Sequence, residues 1–340
     1  MQIGFPVLYG IEINSLTKKF QKLTAVDNIS LKVDEGEIFG FLGPNGAGKS
    51  TTMMILTTLL KPSSGIALVS GFNVVSQAKK VRENIGYVQQ EISVDEYLTG
   101  RENLQLQARL NHIPKNQVEK RIDDILELIE LSEKQNQPVI NYSGGMRKRL
   151  DLAGGLLHQP KVLFLDEPTV GLDIQTRRRI WEYIKTIHKE YGMTIFLSTH
   201  YMEEADRLCN RIGIIDYGKI QVIDSPQAMK NALGNEVIVF TLENQNEKRD
   251  ILIDKINEIE FVKEISKKDE QLTVFSSKGT EVIPKIFQLS SNYGIKIKSI
   301  SLTQPTLDDV FISYTGRELR DDNENYNQRR EHAKMMRLKR

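Results

Sequence analysis

Three stretches near the start of the chain, residues 11–13, 29–33 and 37–42, alternate or run apolar, and the last two are separated by the turn-prone Asp34-Glu35-Gly36. Apolar runs bounded in this way predict strands. The third leads directly into a glycine-rich loop and then into a mostly apolar stretch, Thr51 to Leu60, giving the order strand, loop, helix. Residues 97–131 read as helical, because Leu104, Ala108 and Leu110, and then Ile122, Ile125, Leu126 and Ile129, recur at three- and four-residue spacing. Lys161 to Leu165 and Thr194 to Leu197 are short apolar runs of the kind buried in parallel sheets, and a helix-like stretch, Arg177 to His188, separates them. The pattern is an α/β core interrupted by a helical insertion over about 91–150.

The pattern changes after Asn235. Strand 236–242, helix 247–259, strands 261–266 and 271–276, helix 280–292 and strand 295–302 follow in the order βαββαβ, the split βαβ or ferredoxin-like arrangement. The expected division is therefore a first domain over 1–234, a small α+β domain over 235–316 and a charged tail over 317–340. The last twelve residues hold six lysines and arginines against one glutamate, which predicts a disordered solvated tail, with a membrane-surface contact as the alternative.

Composition narrows the class. Of 340 residues, 39% are hydrophobic and 27% charged, which is ordinary for a globular chain of about two domains. Lysine plus arginine number 46 against 45 aspartates and glutamates, so no net field draws the chain to nucleic acid, and no nucleic-acid partner is expected. The single cysteine, Cys209, excludes an internal disulfide or a cysteine-built zinc site and fits a reducing, cytoplasmic setting. Thr51 to Leu60 is too short to cross a bilayer, which takes about 20 apolar residues, and the N-terminus has no secretory pattern.

The loop Gly43-Pro44-Asn45-Gly46-Ala47-Gly48-Lys49-Ser50, followed by Thr51, matches the phosphate-loop pattern and lies between an expected strand and helix. Its glycines let backbone N–H groups turn toward phosphate oxygens and the helix start adds a favourable dipole; Lys49 is placed to reach the β- and γ-phosphates and Ser50 to ligate Mg²⁺. Downstream, Val162 to Leu165 ends in Asp166-Glu167, which assigns Asp166 to the metal and Glu167 to the base that takes a proton from water. A third element, Tyr142-Ser143-Gly144-Gly145-Met146, puts serine and two glycines at the start of a helix running from Arg147 to Leu157, a second anion-binding terminus. One subunit needs no second phosphate clamp.

Ser143-Gly144-Gly145 resembles the signature of the ABC ATPase family, and further residues match that family in order. The resemblance covers about Ile11 to Ala228 and implies a RecA-like phosphate-loop core with a helical subdomain. Phe20 matches the aromatic that stacks on adenine, with packing at a sheet edge as the alternative. Gln90 matches the glutamine that contacts Mg²⁺ and couples to the membrane partner, Gly171-Leu172-Asp173 the loop at the dimer seam, and His200 the histidine that holds the γ-phosphate and attacking water. Met146 departs from the family's signature glutamine and Ala153-Gly154-Gly155 from its usual Ala-Arg-Ala.

The run Tyr142 to Leu150, with Glu167-Pro168-Thr169-Val170-Gly171-Leu172-Asp173 and the C-terminal Pro305 to Phe311, is similar to the daunorubicin-resistance type of ABC-2 ATPase. That likeness implies ATP hydrolysis with Mg²⁺, a homodimer with two ATP molecules sandwiched between subunits, and a separately encoded ABC-2 permease of about six transmembrane helices. It also implies efflux of a drug, lipid or other substrate and a place on the inner face of the membrane through the permease. A soluble ABC ATPase acting on ribosomes or DNA is the alternative, disfavoured by the single cassette and the lack of a long coiled-coil insertion. A GTPase is disfavoured by the lack of a guanine-reading Asn-Lys-x-Asp motif.

Overall fold

The structure, a computed structural model, describes residues 9–21, 23–243, 248–268 and 271–315. The expected charged tail, 317–340, lies outside the described residues. The chain divides into two compact units, one running to Ile223 and the other starting at Asp224.

The first unit begins with β1 (Tyr9–Phe20) and β2 (Leu23–Asp34), antiparallel strands longer than the short apolar runs predict. Leu16 and Val26, both fully buried, extend their apolar face past those runs. Then come β3 (Ile38–Leu42), α1 (Lys49–Leu56), β4 (Ser64–Val69), β5 (Phe72–Asn73), α2 (Ala78–Asn84) and β6 (Ile85–Val88). The helical stretch is α3 (Gly100–Leu110) and α4 (Lys115–Leu128), two helices where periodicity alone suggests one. Pro114 caps α4 and lacks the N–H that would carry a helix through, so the pattern breaks there. Thr99 and Glu102 form a capping box that starts α3.

The core returns with α5 (Gly144–Leu156), β7 (Val162–Asp166), α6 (Ile174–Tyr191), β8 (Thr194–Thr199), α7 (Met202–Leu208), β9 (Arg211–Asp216) and β10 (Lys219–Asp224). Six strands form one sheet in the order β10-β9-β3-β8-β7-β6, and the pairs from β9 through β6 are parallel. Strands β3, β7 and β8 are buried along their whole length, as strands covered on both faces must be. Phe196 sits at the centre of this core, with ring centroids of Phe39, Phe41 and Phe164 at 5.7, 5.5 and 5.8 Å. A second, antiparallel sheet, β2-β1-β4-β5, packs its apolar face into the same core. Buried Cys209 fills space against β3, where a Cβ on Gly40 would lie 2.6 Å from its sulfur.

The second unit contains α8 (Pro226–Leu233), β11 (Glu236–Leu242), α9 (Lys248–Asn257), β12 (Val262–Lys268), β13 (Gln271–Ser276), α10 (Gly279–Asn292), β14 (Ile297–Thr303) and α11 (Leu307–Thr315). Its sheet order, β12-β13-β11-β14 with every pair antiparallel, is that of the ferredoxin-like fold. Ile238, Phe240, Leu272 and Val274 face α9 and α10 in a core of their own. Helix α8 packs against α11 and belongs to this unit, so the compact units part before residue 234.

Candidate functional site

In open α/β sheets ligands bind outside the carboxyl ends of parallel strands. Here β3 ends in the glycine-rich loop, β7 in Asp166-Glu167 and β8 in Thr199-His200, and the three ends are hydrogen-bonded to one another. Gly43 N–H donates to the Thr199 carbonyl at 3.3 Å, and Glu167 N–H to the Ser198 carbonyl at 3.1 Å.

Close packing dictates two of the loop's glycines, Gly43 and Gly48. A Cβ on Gly43 would stand 2.2 Å from the Ile215 carbonyl oxygen, and one on Gly48 2.5 Å from that of Ala25. Gly48 also has φ +110°, a backbone state that side chains resist. Behind the loop, the β9–β10 turn at Tyr217-Gly218 acts as a brace, with Gly218 N–H donating to the Ala47 carbonyl at 2.9 Å. Pro44 is half-buried, and Asn45 and Gly46 form the exposed crest. Helix α1 starts at Lys49, with Ser50 exposed and Thr51 half-buried on its first turn.

Lys49 is only 4% exposed, and its ammonium donates to the carbonyls of Gly43 at 2.6 Å and Pro44 at 3.2 Å. It also forms an ion pair with Glu167 Oε1 at 3.0 Å. The other oxygen of Glu167, Oε2, lies 2.6 Å from His200 Nδ1. Burial pushes the Glu167 pKa up, but the His200 hydrogen bond and the Lys49 charge outweigh it and leave the carboxyl below its ordinary value. Glu167 also has φ +48°, unusual for a side-chain-bearing residue, and its N–H donates to Ser198 Oγ at 3.1 Å.

Asp166 shifts the other way. Burial raises its pKa, a Ser198 hydrogen bond opposes the rise, and the neighbouring Glu167 charge adds to it. Asp166 Oδ1 accepts from Ser198 Oγ at 2.5 Å and from Ser50 Oγ at 3.4 Å. Across from it, the Tyr87 hydroxyl is pushed up to about 12 by burial, by the Asp166 charge and by a hydrogen bond to that carboxylate. Two adjacent carboxyls are thus held in opposite electrostatic states.

The structure gathers Lys49, Ser50, Asp166, Glu167 and His200 into this one cluster. Ser143, Gly144, Gly145 and Asp173 form a second. Ser143 caps α5 by accepting from Met146 N–H at 3.3 Å, leaving its hydroxyl and the first glycines at an exposed helix start. Asp173 caps α6, accepting from Gln175 and Thr176 N–H at 3.0 Å each and from Thr176 Oγ1 at 2.6 Å. The two helix starts adjoin, since a Cβ on Gly145 would lie 2.5 Å from Thr176 Cγ2. Gln90 is exposed on the segment after β6, and Phe20 leaves 41% of its surface exposed at the end of β1 under the Lys18 ammonium.

Comparison with known proteins agrees with this geometry. The family model described as ABC transporter matches residues 26–170, and that described as ATP-binding protein DrrA1-3-like, C-terminal domain, matches 225–315. The daunorubicin resistance ATP-binding protein DrrA2 of Streptomyces coeruleorubidus is 36% identical over 308 residues, 91% of this chain and 95% of the relative. The chain belongs to the ABC transporter ATP-binding proteins. Another member, the Nod factor export ATP-binding protein I of Sinorhizobium fredii, is 36% identical over 92% of this chain and 87% of its own. A solved dimer of the ATP-binding cassette MJ0796, in a post-hydrolysis state bound to ADP and Pi, superposes with TM-score 0.57 at 27% identity, covering 63% of this chain and 98% of that one. The protein is thus an ABC ATPase that binds ATP.

Sequence reasoning gives several residues of this ABC ATPase no role that the structure now makes visible. Ser198 holds Asp166 and the Glu167 backbone together, and its only sequence signal is a hydroxyl directly after the apolar run Ile195-Phe196-Leu197. Tyr87 faces the Asp166 carboxyl. Glu204, fully buried, accepts from Thr169 Oγ1 at 2.7 Å and Trp181 Nε1 at 2.9 Å, tying α7 to the turn after Glu167.

Proposed function

We propose that this ABC ATPase powers export through a separately encoded membrane partner, working as a homodimer that encloses ATP between its subunits. The observation that carries the reading is that one chain holds two separate half-sites, a buried catalytic cluster around Lys49 and Glu167 and an exposed anion-binding terminus at Ser143 to Gly145. A head-to-tail pair supplies each ATP with both halves. The relatives named for daunorubicin resistance and Nod factor export support the direction of transport, and the dimeric cassette supports the pairing. Among the described residues no helix is long and apolar enough to cross a membrane, which fits an engine held at the inner face by a permease of about six helices.

In this reading Gly43 to Thr51 enclose the phosphates, Phe20 stacks on adenine, and Ser143, Gly144 and Gly145 donate to the partner subunit's γ-phosphate. Asp173 lies at the seam, and Gln90 reports to the membrane partner. Ser50, Asp166 and Gln90 would hold Mg²⁺. The fit is chemical: Ser50 Oγ and Asp166 Oδ1 converge to 3.4 Å and are hard oxygen donors, as this ion prefers, with nucleotide phosphate completing its shell. When bound, Mg²⁺ offsets phosphate charge.

Glu167 accepts the proton of the attacking water. His200 Nδ1–H donates to Glu167 Oε2, which keeps the imidazole beside the carboxylate to hold the γ-phosphate and attacking water. Incoming phosphate takes Lys49 away from Glu167, which frees the carboxylate and raises its basicity at the moment water must be activated. The first unit, running to Ile223, performs this chemistry, and the second, starting at Asp224, regulates or locks the dimer.

The test is a pull-down from native membranes using tagged Glu167→Gln protein with ATP and Mg²⁺. Co-purification of a polytopic permease is the expected result. Ribosomal proteins or DNA complexes without a permease would overturn the export reading and leave the ATPase intact.

A further inference from the structure

The first unit buries a second group of charges that hydrolysis as described does not use. Lys148 and Asp151, both on α5, are 3% and 5% exposed. Lys148 Nζ donates to the Gln89 carbonyl at 2.8 Å and pairs with Asp151 Oδ2 at 3.5 Å. Asp151 Oδ1 accepts from Ser93 N–H at 3.2 Å and from Ser93 Oγ at 2.6 Å. The pair therefore grips the segment between β6 and α3 on both sides of Gln90.

Packing alone does not hold that segment. Gly154 and Gly155 contribute no side chains on this side of α5, and a polar cavity of about 150 Å³ remains between α5, α3 and the segment, lined in part by Ser93, Asn103, Gln107, Asp151 and His158. A second tie, Arg147 to Glu96, joins α5 to the same segment farther along, but Glu96 is half exposed and solvent screens the pair. The buried pair carries the connection. Burial of two charges is unfavourable unless both are fully engaged, so an apolar pair at these positions would serve mere packing better.

The same helix presents Ser143, Gly144 and Gly145 at its N-terminus. We propose that Lys148 and Asp151 are positioning residues that make the Gln89–Ser93 segment and the signature end of α5 one rigid body, so that displacement of the segment moves the γ-phosphate donors. This inference rests on the proposed function of Gln90 and Ser143 to Gly145. It leaves ATP binding at Lys49 independent of the pair, while hydrolysis depends on it.

The experiment compares full-length wild type with Lys148→Met, Asp151→Asn, Ser93→Ala and Lys148→Arg. Steady-state kcat, ATP affinity and amide hydrogen exchange of the 89–96 segment are measured for each. Lys148→Met and Asp151→Asn are expected to lower kcat about 10-fold or more, the size of effect that a small misplacement produces. ATP affinity stays within about twofold of wild type, because positioning acts on the transition state and the loop that binds phosphate is untouched. Exchange quickens in 89–96 and is unchanged in β3, β7 and β8. Ser93→Ala, which removes one of the two hydrogen bonds to Asp151 and leaves the buried pair in place, shifts kcat and exchange in the same direction by less, and Lys148→Arg restores both. If Lys148→Met does not fold, Ser93→Ala decides.

Unchanged kcat with faster local exchange would overturn the inference, as would uniformly faster exchange across the sheet, the mark of a merely structural pair. A wild-type chain that binds ATP without hydrolysing it would instead remove the underlying reading, and the inference with it.

Discussion

Glu167→Gln separates the pairing the structure shows for this carboxylate from the base role proposed for it. In the free protein Oε1 is paired with Lys49 at 3.0 Å and Oε2 with His200 at 2.6 Å, all but inaccessible to water. Glutamine keeps the shape and an oxygen for His200, but it removes the charge. Breaking a buried ion pair destabilises by about 3–5 kcal/mol, and the low end applies here because Lys49 keeps its bonds to the Gly43 and Pro44 carbonyls. As the base, Glu167 contributes about 10²–10⁴ in rate, and its loss raises the barrier by about 2.7–5.4 kcal/mol. ATP affinity moves the other way. Wild type must break the Lys49–Glu167 pair to offer Lys49 to phosphate; if about 1.4 kcal/mol of that pairing is lost on binding, the variant binds ATP about tenfold more tightly. Phosphate release gives kcat, and calorimetric titration gives ATP affinity. Turnover within about threefold of wild type would refute the assignment of the base. Affinity weakened about tenfold would refute the competition between Glu167 and phosphate for Lys49.

Other consequences follow from the same contacts. Gly145→Ala forces a Cβ to within 2.5 Å of Thr176 Cγ2 and disturbs the Asp173 cap, so thermal unfolding should show a loss of about 0.5–2 kcal/mol. Gly144→Ala, whose Cβ would meet nothing nearer than Leu172 Cδ2 at 4.0 Å, should leave stability unchanged by the same measurement. Gly48→Ala, at φ +110° and 2.5 Å from a backbone oxygen, should abolish ATP binding in a nucleotide titration. Cys209, buried and with its thiol pKa raised well above normal by burial, should resist alkylation at pH 8 until denaturant is added, and rapid modification of the native protein would contradict its placement. The lowered pKa of Glu167 means its stabilisation is complete above the ordinary glutamate range and is lost as pH falls through the lowered value. The difference in melting temperature between wild type and Glu167→Gln should therefore be full at pH 7, begin to shrink as pH enters the ordinary glutamate range and close only below the lowered value.

Much of this architecture is legible in the sequence where period and chemistry agree. The loop from Gly43 to Ser50, the apolar run into Asp166-Glu167 and the strand before His200 each combine a buried-strand pattern with a polar terminus, and each is where the sequence places it. The six elements from β11 to β14 lie within a few residues of their expected positions, whereas α8 and α11, short helices flanking them, are not among the expected elements. Elements without a period go unread. Strand β6 is four residues long, α2 buries only Val81, and β4 leaves Ile66 53% exposed, so none offers a stripe to detect. The Lys49–Glu167 pair and the Ser198 bridge join distant segments through the strand order β3-β8-β7, a consequence of topology that no local pattern carries.

The opposite shifts of Asp166 and Glu167 show why the two carboxyls are not interchangeable although they are adjacent in sequence. Strand alternation turns successive side chains to opposite sides, and the positive φ at Glu167 then ends the strand and redirects the chain. Asp166 is hydrogen-bonded only to the neutral Ser198, Ser50 and Tyr87 hydroxyls, and burial, reinforced by the Glu167 charge, outweighs them and the Lys49 charge to raise its pKa. Glu167 faces a lysine and a histidine, and its charge is already compensated. The first environment suits a metal ligand, whose charge a bound cation would satisfy. The second suits the base proposed above: withdrawal of its lysine partner by phosphate would let the substrate itself raise the basicity of that carboxylate.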